Sequence, residues 1–154
     1  MARRRSTAIL RLDGVALEEY PYAETDLHGA ARVGDLAAVK ALLERGDDPN
    51  VFDEFGYTPL HFAAMNEHHD IVRVLLDAGT TVDARVVGAV ANPPLGEVAG
   101  TCSLEMAKIL IAAGADPTIT GWMNLNALDR AKDRDDEEGR SVYALLLGDP
   151  STNQ

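Results

Sequence analysis

A block of residues that returns at a fixed interval limits this chain to a narrow class of folds. Leu60-His61-Phe62-Ala63-Ala64 is matched by Leu27-His28-Gly29-Ala30-Ala31 at a spacing of 33 residues, and the same 33 separates Gly46 from Gly79 and Leu42-Leu43 from Leu75-Leu76. Downstream, Pro94-Leu95 follows Pro59-Leu60 by 35, and Leu110-Ile111 and Gly114 keep that spacing, so two extra residues lie between Gly79 and Pro93. A fourth, weaker copy starts at Gly121, with Leu128 placed 33 after Leu95. A unit of about 30 residues cannot cover its own apolar face, so such units must stack on one another.

The most complete copy shows what each unit is. Thr58 is a natural N-cap, and Pro59 then takes the first helical position, where a missing N–H costs nothing. Leu60, Ala63 and Ala64 follow at i, i+3 and i+4, making one face apolar and small enough for close backbone approach. Ile71, Val74, Leu75 and Leu76 make the apolar face of a second helix, which Gly79 ends in the left-handed region. Each unit is therefore a helical hairpin.

Thr-Pro-Leu-His-x-Ala-Ala opening one helix and Leu-Leu-x-x-Gly closing the next, at a 33-residue period, resembles the ankyrin repeat family over residues 25–148. The resemblance implies an all-α solenoid of about four repeats, each with a β-hairpin-like finger, whose fingers and first helices form a concave protein-binding face. The expected layout is a 1–22 extension, basic at its start, a repeat domain over 23–150 (repeats near 23–52, 53–85, 86–120 and 121–150), and a frayed 151–154 tail.

Helices are expected at 25–33 and 36–45 in the first repeat, with Gly34 ending one and Asp35 capping the next. The second repeat places them near 59–66 and 69–78. The third departs most, because Pro93 and Gly96 stand where Thr58 and His61 would be. Its first helix, 94–100, is expected to be the least stable, with a regular helix at 104–113 behind it. Its finger, 83–92, is long and apolar, and Val86, Val87 and Val90 are expected to fold back onto neighbours, the alternative being an exposed patch. In the fourth repeat, Val142, Leu145 and Leu146 close the stack behind an acidic run, residues 133–138, that supplies the polar cap an array needs.

Composition narrows the function. Aromatics are only 5% of a chain that is 46% hydrophobic, which suits helices filled by Ala, Leu and Val. A single cysteine excludes an internal disulfide framework and fits a reducing, cytoplasmic setting. Cys102, at the turn inside the third repeat, is expected to be an ordinary small side chain. The net charge is −11, with Arg3, Arg4, Arg5 and Arg11 gathered before any acid, so the remainder stands at −15. An acidic body argues against nucleic acid as a ligand and makes basic proteins the natural partners. The apolar run after Arg5 is broken by Arg11 and Asp13, short of the roughly 7–15 residues of a signal peptide. No run approaches the roughly 18 apolar residues of a membrane span. Ile9, Leu10, Leu12, Val15 and Leu17 are expected to pack against the open edge of the first repeat.

Catalysis finds no foothold. Phosphate-binding glycine loops, His-Glu-x-x-His, a nucleophile elbow and paired-cysteine zinc spacing are all missing from the sequence. His68-His69-Asp70 are adjacent on a helix start and point apart. The run from Asp133 alternates acids faintly like a calcium loop, but Glu138 replaces its glycine and Ala144 its bidentate Glu. His28 and His61 stand at the motif position where the resemblance implies hydrogen bonds to the next repeat. No catalytic residue, metal or cofactor is expected.

Binding remains. The finger positions and the ends of the first helices hold Tyr22, Phe52, Glu54, Phe55, Tyr57, Met65, Asn66, Trp122, Met123 and Leu125. Aromatic and Met side chains of this kind are enriched at interface hot spots. The expected function is a non-catalytic protein-binding module, monomeric when free. The alternatives are an inhibitor or immunity-type protein that occludes a toxin or enzyme, and a regulatory subunit of a client enzyme.

Overall fold

The structure is a computed structural model that describes residues 25–153. The expectations for the N-terminal extension, including Tyr22, lie outside the described residues. Eight α-helices follow in pairs: α1 (Asp26–Val33) with α2 (Leu36–Arg45), α3 (Pro59–Met65) with α4 (His69–Asp77), α5 (Pro94–Val98) with α6 (Leu104–Ala112), and α7 (Ala127–Ala131) with α8 (Glu137–Leu146). Two 3-10 turns, Trp122–Asn124 and Pro150–Asn153, complete the elements, and no strand forms among the described residues. Thus the fingers are turns rather than ribbons. The second and fourth are each closed across four residues by one backbone bond, Asp53 N–H to the Tyr57 carbonyl at 2.8 Å and Gly121 N–H to that of Leu125 at 2.9 Å.

The helices stack in two rows. α1, α3, α5 and α7 touch in succession, and so do α2, α4, α6 and α8. Leu27, Leu60 and Leu95, one repeat apart, are each buried in the first row; Val39, Val72, Leu75, Met106, Leu110 and Val142 fill the layer behind. Leu42, the first-repeat equivalent of Leu75, is only half-buried, because α2 is the first helix of its row among the described residues.

Caps hold each hairpin. Asp35 accepts from the Ala38 amide, Ser103 from that of Met106 and Asp136 from that of Gly139. The first helices use a reciprocal box instead, pairing Thr25 with His28 and Thr58 with His61. Asn126 and Asp129 make the same box in the fourth repeat, which is more complete at its start than its sequence suggests.

In the third repeat α5 is short, five residues, and Pro93 gives it no side-chain cap. A substitute is present one position either side of the missing pair. Glu97 Oε2 accepts from Asn92 through both the side-chain amide (2.7 Å) and the backbone N–H (3.2 Å). At the far end, Ser151 N–H donates to Asp149 Oδ1, so residues 150–153 form a capped turn rather than the expected fray.

Candidate protein-binding face

The face is laid out by the histidines at the root of each finger. His61 Nδ1 accepts the Thr58 N–H at 2.9 Å and so carries no proton itself; Nε2–H then donates to the Asn92 carbonyl of the next finger at 2.8 Å. His28 repeats this, accepting from Thr25 N–H and donating to the Tyr57 carbonyl at 3.1 Å. Burial pushes the His61 imidazole down to about 4, which keeps it neutral in this role. Gly96 stops the ladder, and the Asn92 side chain continues it. Its Oδ1 accepts from Trp122 N–H at 2.9 Å and from the Arg130 guanidinium at 3.2 Å, linking the third repeat to the fourth.

On this frame the sequence-predicted residues divide. Phe55 is 54% exposed, Trp122 53% and Met123 67%, with Met65 and Leu125 also open to solvent. Glu54 is exposed beside Phe55, and Asn66 is exposed while its amide caps α3 on the Phe62 carbonyl. Tyr57 and Phe52 differ. Tyr57 is half-buried against His61 and Phe62, with ring centroids 5.5 and 5.6 Å away, so it serves packing as well as surface. Burial first, then the charges of Glu97 and Asp53, raises its phenol above its ordinary range. Phe52 is half-buried in the groove between the second and third fingers. Phe62, not singled out in the sequence, lies beneath the Arg32 guanidinium at 4.2 Å.

Two of the three valines of the third finger, Val87 and Val90, depart from the expected packing, while Val86 keeps it. Val86, Ala89 and Ala91 rest on Gly56, where a Cβ would meet all three, but Val87 is 87% exposed and Val90 is half out as well. Gly88 explains it. It turns the chain through the left-handed region (φ 89°) at the finger tip, which swings the preceding side chain away from the stack.

Residues weighed for chemistry are placed elsewhere. His68 Nε2 bonds the Arg32 carbonyl and His69 Nε2 bonds Glu67, so the neighbours do point apart. Among the described residues no group of three or more His, Cys, Asp or Glu is arranged to hold a metal ion. Cys102 is buried, and burial raises its thiol to about 12, which leaves it unreactive.

A family model of ankyrin repeats (3 copies) matches residues 27–121. The chain belongs to the ankyrin repeat family. Ankyrin repeats generally mediate protein–protein interaction, and the domain is typically non-catalytic. This ankyrin repeat chain is similar to a palmitoyltransferase of Drosophila melanogaster, 39% identical over 75% of the chain and 18% of that protein. It is also similar to human ankyrin repeat domain-containing protein 39, 41% identical over 45% of the chain and 37% of the relative. A putative ankyrin repeat protein of Rickettsia bellii is 35% identical over 51% of the chain and 34% of its own length. The chain spans well under half the length of these relatives. No helix among the described residues is long and apolar enough to cross a membrane.

Proposed function

We propose that the chain is a non-catalytic binding module that holds a partner protein against its fingers and the ends of its first helices. One observation carries this. Among the described residues nine large apolar side chains are exposed, and all but Leu147 stand on a finger or at the end of a first helix: Val33, Phe55, Met65, Val87, Val90, Trp122, Met123 and Leu125. Scattered apolar residues on a surface are ordinary, but their collection on one face marks an interaction site. The outer row, by contrast, exposes charged side chains such as Lys40, Glu44, Arg73, Glu105 and Arg140.

Replacing Phe55 and Trp122 together by Ala tests the reading. Folding stability should stay within about 1 kcal/mol, the scale of surface changes. Affinity for a partner recovered on the unaltered protein should fall by about 2 kcal/mol or more, the hot-spot scale. A double variant that stays folded and holds the partner as before would place binding on another face.

A further inference from the structure

The third and fourth fingers enclose a cleft that is built open. Arg85, Val86, Val87, Gly88 and Ala89 line one side and residues 120–123, including Trp122 and Met123, the other. Two ties hold the sides. The Arg85 guanidinium donates across to the Thr120 carbonyl, and Trp122 N–H is held on Asn92 Oδ1. Gly121 makes the second tie possible, since a Cβ there would overlap the Asn92 side chain. Met123 and Asn124 both sit in the left-handed region, at φ 60° and 57°. For a side chain as bulky as Met this is a strained conformation, and strain of this kind collects at functional sites. Its effect is to present Met123 and Trp122 outward, opposite Val87. The space between is about 310 Å³, at the small end of ligand pockets, enough for a few side chains.

Charge selects what would fill it. Over residues 46–57, 79–93 and 114–126 the fingers carry six carboxylates, Asp47, Asp48, Asp53, Glu54, Asp83 and Asp116, against one cation, Arg85. Arg85, the charged side chain that lines the cleft itself, bonds the Thr120 carbonyl and keeps its charge, while Glu54 stands exposed on the second finger, whose Gly56 touches the third. Asp47 is already paired with Arg45, burial raises the Asp83 carboxyl and Asp53 is buried, so Asp48, Glu54 and Asp116 are the open carboxylates, the last held below the ordinary range by Thr118. An apolar cleft beside a net-acidic finger row disfavours phosphate-bearing ligands and favours cations beside apolar side chains.

We infer that this cleft takes an extended segment of a partner protein in which apolar side chains are flanked by Lys or Arg. The apolar side chains rest on Val87, Trp122 and Met123, and the cations face the exposed Glu54. This rests on the protein-binding reading above and adds where the partner inserts and what it carries.

A random peptide library displayed on phage and panned on the full 154-residue chain tests it without a known partner. Enriched sequences should pair Lys or Arg with large apolar residues. One of them, synthesised with a fluorophore, should lose roughly tenfold or more in affinity to Trp122→Ala and to Val87→Asp. Val87 is almost fully exposed, so its variant should keep the wild-type circular dichroism and remain a fair test. Binding should also weaken several-fold with Glu54→Lys and on raising salt from about 0.05 to about 0.3 M. Peptides lost with Trp122→Ala but acidic or uncharged, and indifferent to salt and Glu54→Lys, would overturn the basic segment while leaving the binding face in place. Peptides unaffected by Trp122→Ala and Val87→Asp, or no enrichment over an unrelated protein, would overturn the cleft itself. The Phe55 and Trp122 double variant decides the broader reading separately.

Discussion

His61 shows how one side chain joins sequence, stability and face. Its ring bridges its own helix start and the next finger only while neutral, and burial holds its pKa at about 4 against an ordinary 6.5. Between those values the unfolded chain takes up a proton that the folded chain refuses, so stability is full above pH 6.5 and falls as pH drops towards 4. The loss approaches about 3.5 kcal/mol at its limit, from about 1.4 kcal/mol per unit. Urea unfolding across this range should show the decline, and the His61 ring resonances should titrate near 4. Titration near 6.5 would contradict a buried neutral bridge. Leucines give a second residue-scale expectation. Leu75→Ala should cost roughly 2–5 kcal/mol, the range of buried Leu truncations, and Leu42→Ala distinctly less, because Leu42 is half-buried. Equal losses in chemical denaturation would mean that the end of the stack is as closed as its middle.

Among the elements, the third repeat is where sequence and structure part. Helix pairs, Gly34, Asp35 and the Thr58 start were readable because each rests on a local rule: an apolar period, a left-handed glycine, a capping side chain. Pro93 and Gly96 remove the Thr and His of the start, and α5 ends at Val98, two residues short of the expected 94–100. The repair was not readable. Asn92 meets Glu97 five residues on, but it reaches Trp122 and Arg130, 30 and 38 residues away, only once α5 and α7 are stacked. Outward valines were missed for a related reason, since an apolar run is equally suited to a packed finger and to a displayed one. Asn92→Ala would leave the Trp122 amide without its partner and reduce Glu97 to the weaker bond from the residue's backbone N–H, at a cost of roughly 1–3 kcal/mol. Hydrogen exchange should quicken in both α5 and the 122–124 turn and change little in α3, whose bridge uses the Asn92 backbone carbonyl. Unchanged exchange in the turn would show that Asn92 does not hold Trp122.

At the scale of the whole molecule, the core and the proposed binding face draw largely on different residues. The interior is made from Leu27, Leu60, Leu95 and the layer behind them, so the fingers are free to carry side chains that packing does not require. Exposed rings and Met side chains were legible by that subtraction, apart from Tyr57 and Phe52, which are shared with the stack. Glu67 shows a similar economy on the opposite turn. Held at φ 59°, it accepts the Ser103 amide and hydroxyl from the next repeat and stiffens the join behind the face. The central claim is that the finger row, open in the free protein, closes on a partner. Trp122 is the sole tryptophan, so its fluorescence reports that row alone. Acrylamide should quench it readily in the free chain and much less in the complex with a recovered partner. Emission already shielded in the free protein, or quenched equally in the complex, would contradict the account.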